Sequence, residues 1–497
     1  MNKTISYNTT EFVESIAGES PDIPESTLPA KPTSELITSP VERESIVSME
    51  DVRKRLVDTY EATLQELTRL SAERGKVERE KPLITVVVSI WEEDDNLTAS
   101  KMFENSLDAL LHQAETGNLD LDIIVVGNNG GGKTTELGQR MIERLNQHFA
   151  EKYPEIPIQK LETHRPQGDY YSGTPWEVSI PLEPKRAPGQ NRLYFIEQPK
   201  DLAKDGKDKL TNAGKIRALR DVSHALVRNY KQGYVPDAIF QMDAETILQY
   251  QEGTVPAGTE RALPPLKALY NKLSRKGYTA VGTKDIFEVI DPVTGKPKDK
   301  PKDTAQAGFM LTNTKTIAIP GGALLSKPEN YIAGMVAISE VTPGAGVEDY
   351  LYTQLLRDEA KRKGYDFDNN VATTAGIIGH TNRATEDTFS ISKQAERVVG
   401  GSLGPSVRQL DRWYTQSRAV NQIFPELNAY QSEKFLGYVK LIVLKRLEDT
   451  IRERDPRHLI QLLIDAARIP EAIKMLKNEE VADILNGAAS WGHSFKK

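Results

Sequence analysis

Ala238-Ile-Phe-Gln-Met-Asp-Ala-Glu-Thr-Ile247 is an apolar run that ends on one carboxylate, Asp243, with a second, Glu245, two residues later. The run predicts a buried strand. A strand that finishes in Asp-x-Glu delivers carboxylate oxygens to one point at the carboxyl edge of a sheet. Hard divalent cations take oxygen ligands, and Mg²⁺ is commonly held by one or two carboxylates together with substrate phosphates. An acidic pair after a strand is more often a solvated turn, so the weight of this stretch depends on what surrounds it.

Upstream, short apolar runs alternate with helical stretches. Strands are expected at 83–90, 121–126 and 156–161, with helices at about 98–114 and 135–150 between and after them. A helix is expected over 212–230, the strand 238–242 comes after it, and another strand is expected at 279–282. Alternation of this kind predicts an α/β fold with a mainly parallel sheet. Residues 163–210, rich in Gly, Pro and Lys, read as an irregular insertion, and 291–303 as a loop.

Outside this region the pattern changes. Residues 1–48 are rich in Ser, Thr, Pro and Glu and read as a disordered tail. The segment 49–80 carries Val52, Leu56, Tyr60, Leu64, Leu67 and Leu70 at helical spacing, an apolar stripe that must pack on something. Residues 401–497 read as a helical C-terminal region, with an apolar face in Phe435-Leu-Gly-Tyr-Val-Lys-Leu-Ile-Val-Leu444. The α/β domain is therefore placed at 81–400.

The chain has 497 residues, too many for one compact domain. Its net charge of −7 argues against a nucleic-acid partner, which needs a basic face. With no cysteine, thiolate catalysis and cysteine-bound zinc are excluded. The first residues lack the apolar core of a signal peptide, and no run of about 18 apolar residues is present. The expectation is a cytoplasmic protein without a transmembrane segment, with peripheral membrane contact and a homo-oligomer through the terminal helices left open.

Gly127-Asn-Asn-Gly-Gly-Gly-Lys-Thr134 matches the phosphate-binding pattern G-x-x-x-x-G-K-[ST] between an expected strand and an expected helix. It supports a P-loop NTPase reading centred on Lys133 and Thr134, with Asp243 as the magnesium-binding acid. That reading leaves the later motifs unexplained. The plain alternative is a Gly-rich turn with a solvated lysine.

Five motifs occur in one order. Val86-Val-Val-Ser-Ile-Trp-Glu-Glu-Asp-Asp-Asn-Leu97 opens the series and Ile123-Ile-Val-Val-Gly-Asn-Asn-Gly130 is second. Asn212-Ala-Gly-Lys-Ile-Arg-Ala-Leu219 comes next, then Asp243-Ala-Glu245, then Gly344-Ala-Gly-Val-Glu-Asp-Tyr-Leu-Tyr-Thr-Gln-Leu355. Together residues 83–390 resemble the nucleotide-sugar glycosyltransferases of the GT-A fold, family 2 type. The resemblance implies a metal-dependent hexosyltransferase that moves a sugar from a nucleotide-diphosphate donor to an acceptor hydroxyl, with Mn²⁺ or Mg²⁺.

The resemblance also implies roles. Trp91 and Glu93 take the positions of the nucleotide-holding turn "P-x-Y-N-E", and Asn128 stands where the family's "V-D-D-G-S" turn has an acid for the base. Gly127 and Asn128 replace those acids, which leaves the nucleotide open. Lys215 and Arg217, in the family's "N-x-G-K" helix start, take the diphosphate, and Asp243 and Glu245 fit the metal-binding D-x-D motif. Gly321-Gly-Ala-Leu-Leu-Ser326 resembles the segment lining the acceptor and sugar pocket. In the "G-E-D-x-x-L" helix start, Asp349 is the expected general base of an inverting enzyme, with Glu348 second. His380, in Ile377-Ile-Gly-His-Thr-Asn-Arg383, is expected at a strand end as a third metal ligand. Two further readings stay open: a retaining transferase of the glucosyl- or mannosyl-glycerate type, in which the carboxylates bind rather than deprotonate, and a non-catalytic sugar-binding or scaffold protein.

Overall fold

The computed structural model describes residues 48–74, 79–91, 102–128, 134–161, 163–164, 177–183, 189–198, 201–202, 210–211, 214–244, 246–250, 263–274, 278–289, 322–342, 348–364, 371–383 and 423–424. The tail 1–47 and almost all of the C-terminal region lie outside them.

In chain order the helices are α1 (Met49–Arg74), α2 (Met102–Gly117), α3 (Thr134–Lys152), α4 (Gly214–Gln232), α5 (Pro265–Leu273), α6 (Pro328–Val341) and α7 (Glu348–Lys363). The long strands are β1 (Leu83–Trp91), β2 (Asp120–Asn128), β3 (Ile158–Leu161), β6 (Arg192–Gln198), β9 (Ala238–Asp243), β10 (Thr246–Tyr250), β11 (Ala280–Val289), β12 (Ala323–Ser326) and β13 (Val371–Arg383). Two small ribbons complete the set, β4 (Thr163–His164) with β5 (Glu177–Val178) and β7 (Asp201–Leu202) with β8 (Leu210–Thr211).

Among the described residues the nine long strands form one sheet, in the order β10-β13-β11-β12-β9-β1-β2-β6-β3. β3, β6, β2, β1 and β9 run parallel, β12 is antiparallel to β9, and β10 is antiparallel to β13. The fold is mixed α/β with a mainly parallel central sheet and flanking helices, as the alternation predicts.

The strands at the centre of the sheet are largely apolar because both faces are covered, whereas β3 at its edge exposes Gln159 and Lys160. Alternate side chains go to opposite faces. Val87, Ile124, Ile196 and Ile239 face a core shared with α1, α4, α6 and α7. Val86, Ile123, Phe195 and Phe240 face a second core shared with α2, α3 and α5.

One expectation is corrected. The segment read as an irregular insertion, 163–210, contains β6, which lies inside the sheet between β2 and β3. Leu193, Tyr194, Phe195 and Ile196 are all buried. A strand covered on both faces has no alternation, and four apolar residues set among Gly, Pro and Lys carry little signal. The strand expected at 279–282 runs on to Val289, and α5 and α6 are additions to the expected elements. α6 is buried on nearly every side, so it has no polar face for periodicity to reveal.

The first helix begins with a reciprocal cap: Ser48 Oγ accepts from the Asp51 N–H, and the Asp51 carboxylate accepts from Ser48. Its stripe packs as expected, with Leu56, Tyr60, Leu67 and Leu70 buried. Polar ties fix the helix in place. Arg53 donates to Asp358 at 2.8 Å, Tyr60 OH donates to Glu359 at 2.5 Å, and Ser71 donates to Glu329 at 2.7 Å. Burial, with Glu359 close by, pushes the Tyr60 phenol well above its ordinary value, so it remains a neutral donor. Two residues of the C-terminal region are described, Ile423 and Phe424. Both join this core, with the Arg53 guanidinium 5.5 Å from the Phe424 ring centre.

α6 and α7 touch at Gly334. A Cβ there would lie 2.4 Å from the Tyr352 ring. Gly334→Ala is therefore expected to cost about 1–3 kcal/mol, measured by urea denaturation; an unchanged midpoint would show that the two helices can separate freely.

Candidate functional site

The chain leaves β1 for β2 on one side and later returns to β9 on the other. In open α/β sheets, ligands bind beyond the carboxyl ends of the strands at such a reversal. Trp91 and Asn128 are the last residues of β1 and β2 and pair with each other. Asp243 ends β9 and pairs with Ser89. The register thus puts the backbones of Trp91, Asn128 and Asp243 at the same sheet edge, although sequence separates them widely.

Three side chains meet at this edge. Lys215, the second residue of α4, places Nζ 2.8 Å from Asp243 Oδ1 and 2.6 Å from Glu348 Oε1. Glu348 opens α7 and is 6% exposed, whereas Lys215 and Asp243 are 30% and 33% exposed. The cluster thus has a closed side at Glu348 and an open side at the other two. Burial alone would lower the Lys215 pKa, but Asp243 and Glu348 overturn that and hold it well above the ordinary lysine value. Lys215 is therefore an ammonium throughout neutral pH. Its contribution to stability is complete below the ordinary lysine pKa and lost only as pH rises through the raised one.

A second tier sets the position of Glu348. Gln241, within β9, donates from Nε2 to Glu348 Oε1 across 3.5 Å, and its Oε1 accepts from Tyr331 OH at 2.9 Å. Burial pushes the Tyr331 phenol far up, which keeps it a donor. A donor on Oε1 turns the amide so that its NH₂ faces the carboxylate. Neither Gln241 nor Tyr331 is among the residues expected at the site. The signal is present in one of them, since Gln241 is the polar residue inside an otherwise apolar strand.

The expected Gly321–Ser326 segment reaches the site through its backbone: the Asp243 N–H donates to the Gly322 carbonyl at 3.1 Å, and β12 continues antiparallel to β9. The two acids that open α7 diverge. Glu348 enters the cluster, while Asp349 is half-buried and accepts from the Tyr350 N–H at 2.8 Å within the helix's first turn.

His380 is not at a strand end but three residues inside β13, paired with Ile247 of β10 and Ile286 of β11. Only two residues join β9 to β10, so this part of β13 is laid against chain that has just left Asp243. Glu245 is one of those two. Glu245, Glu93 and Lys133 lie outside the described residues, and Arg217 is described only as backbone in α4. The Gly127–Thr134 pattern begins inside the sheet, for Gly127 pairs with Ile90 and Glu197, and a Cβ on it would lie 3.3 Å from the Phe195 ring. Among the described residues no group of three or more His, Asp or Glu gathers around one point. The acids that do converge are Asp243 and Glu348, with a lysine between them.

No protein-family model and no curated protein matches the chain. Among solved structures it is similar to the mannosyltransferase PcManGT from Pyrobaculum calidifontis in complex with GDP-Man and Mn²⁺. The identity is 13%, the TM-score 0.34, and the match covers 86% of this chain and 98% of that one. The sugar nucleotide and the metal belong to that complex. No helix among the described residues is long and apolar enough to cross a membrane.

Gln241→Leu would leave the buried Tyr331 hydroxyl without its acceptor and take the amide donor from Glu348, which keeps Lys215. The expected loss is about 1–3 kcal/mol of unfolding free energy, and a urea midpoint equal to the parent's would show that this tier contributes nothing.

Proposed function

We propose that the protein is a glycosyltransferase of the GT-A type, moving a sugar from a nucleotide-diphosphate donor to an acceptor hydroxyl. The observation that carries the reading is the meeting of Lys215, Asp243 and Glu348 beyond the carboxyl end of β9, at the reversal of strand order. An ammonium and two carboxylates at this place suit a diphosphate and the cation that accompanies it.

The residues fit a divalent cation. Asp243 and Glu348 already offer oxygens to a common point, as the two short contacts to Lys215 Nζ attest, and an all-oxygen set suits Mg²⁺ or Mn²⁺. Asp243 and Glu348, with Glu245 and His380 as the further candidates, would hold it. When bound, such an ion supplies Lewis-acid neutralisation of the leaving diphosphate.

The chain's own groups do the rest. Lys215 binds phosphate oxygens, aided by the free N–H groups at the start of α4. Gln241 and Tyr331 keep Glu348 turned towards the donor. Trp91 and Asn128, at the ends of β1 and β2, hold the nucleoside together with Glu93, and Arg217 joins Lys215 on the diphosphate. Asp349, one residue beyond Glu348 and about 100° round the helix, takes the proton of the acceptor hydroxyl.

A second reading is favoured by one observation. Glu348, the better buried acid, is committed to Lys215 and Gln241. That is the behaviour of a binding carboxylate, as in the retaining alternative, in which neither acid deprotonates the acceptor.

The test is a screen of the purified protein for Mn²⁺-dependent turnover of several nucleotide sugars and of ATP. Sugar-nucleotide turnover supports the transferase; ATP turnover lost in Lys133→Ala would overturn it in favour of an NTPase. Asp243→Ala is expected to abolish metal-dependent binding of the sugar nucleotide, and Lys133→Ala to leave it near normal, both by calorimetry.

Asp349→Asn separates the stereochemical readings. Loss of a positioned base lowers turnover by about 10²–10⁴-fold with donor affinity unchanged. Full turnover in Asp349→Asn would favour the retaining account, and loss of donor affinity together with turnover would remove Asp349 from the base role.

A further inference from the structure

Lys215 stands where a cation would stand. Its Nζ is within hydrogen-bond distance of one oxygen from each of the two acids, Asp243 and Glu348. An oxygen-liganded divalent ion needs those same atoms, at about 2.0–2.6 Å. An ammonium and a divalent ion cannot share the position, because they repel each other and compete for the same lone pairs.

The ammonium's hold also has a weak point. Lys215 is at the amino-terminal turn of α4, where the helix dipole disfavours positive charge. The two carboxylates therefore keep it in place against its own helix. Its side chain is a flexible four-carbon stem and is 30% exposed, so it has a way out towards solvent. Glu348, in contrast, is buried and held from behind by Gln241, so the acids stay while the lysine moves.

We propose that Lys215 is an internal counter-ion that occupies the cation position of the ligand-free protein and is exchanged for the divalent ion when the donor binds, swinging from Asp243 and Glu348 to the diphosphate. This rests on the transferase reading of the same cluster. The exchange couples two ligands. A divalent ion arriving alone must displace an ammonium whose two partners among the described residues are the same carboxylates, so it binds weakly. Arriving with a diphosphate, it leaves Lys215 an anion to pair with, at a helix end that favours anions. Cation and diphosphate then raise each other's affinity by the same factor, as linkage requires. The device offsets part of the repulsion between two neighbouring carboxylates before the donor arrives and discourages occupancy by a metal without its substrate.

The test is the binding of Mn²⁺ alone, monitored by electron paramagnetic resonance of the free ion, to the full chain and to Lys215→Met. The variant is expected to bind Mn²⁺ at least about tenfold more tightly, since a competing positive charge has gone. Lys215→Arg, which keeps the charge, is the control and is expected to bind no more tightly than the parent.

If Lys215→Met binds Mn²⁺ no more tightly while the parent binds Mn²⁺ with GDP or UDP, the exchange is wrong and the transferase reading survives. If the parent binds none of GDP, UDP, ADP, CDP and dTDP with Mn²⁺, both fall. Reductive methylation of the parent, read by mass spectrometry, needs no variant. Labelling of Lys215 is expected to rise when Mn²⁺ is added alone and to fall again once the nucleoside diphosphate is added. Labelling indifferent to Mn²⁺ at concentrations that load the site would overturn the proposal.

Discussion

A parallel strand covered on both faces has no access to water, and any polar side chain within it must find its partners inside the protein. Gln241 is such a side chain, in the interior of β9. Tyr331 satisfies one end of its amide and Glu348 the other. Glu348 is then a buried carboxylate, which is costly unless a positive group is brought to it. Lys215 is that group, and its second contact is Asp243, on the same face of the same strand. The polar chain begins in the core and emerges at the sheet edge, so the burial of one strand and the chemistry of the site are a single problem in electrostatics.

The helices on this face can be understood from the same chain. α6 brings Tyr331, α7 brings Glu348 and α4 brings Lys215. α6 and α7 approach closely enough at Gly334 that the Tyr352 ring leaves no room for a Cβ there. α1 lies over α6 and is tied to the far end of α7 through Asp358 and Glu359, some ten residues from Glu348. At about 1.5 Å per residue, that puts the ties roughly 15 Å along α7 from the site. The first helix thus anchors the element whose opening residue carries the buried acid.

Much of the architecture is legible in the sequence because it rests on local pattern. Apolar runs of strand length separated by helical periods give the α/β class, and the stripe from Val52 to Leu70 gives α1. The elements that escape a reading of pattern share one cause. β6 and α6 are buried on nearly every side, and such burial removes the contrast between faces on which periodicity depends. The apolar run before His380 suggests a strand that ends there. The chain instead keeps pairing, with β10 and β11 on both sides as far as Thr381 and with β11 alone to Arg383.

At the site, sequence alone determined which residue types were present in which order: a lysine opening a helix, a strand ending in Asp243, and adjacent acids opening another helix. These are properties of a few neighbouring residues and can be read one motif at a time. Only the tertiary structure decided that Lys215, Asp243 and Glu348 meet, that Glu348 rather than Asp349 enters the cluster, and that Gln241 and Tyr331 stand behind it. Consecutive residues on a helix point about 100° apart. Which of the two acids turns inward is therefore set by how α7 is rotated against α6 and β9, and that rotation is fixed by packing far along the chain.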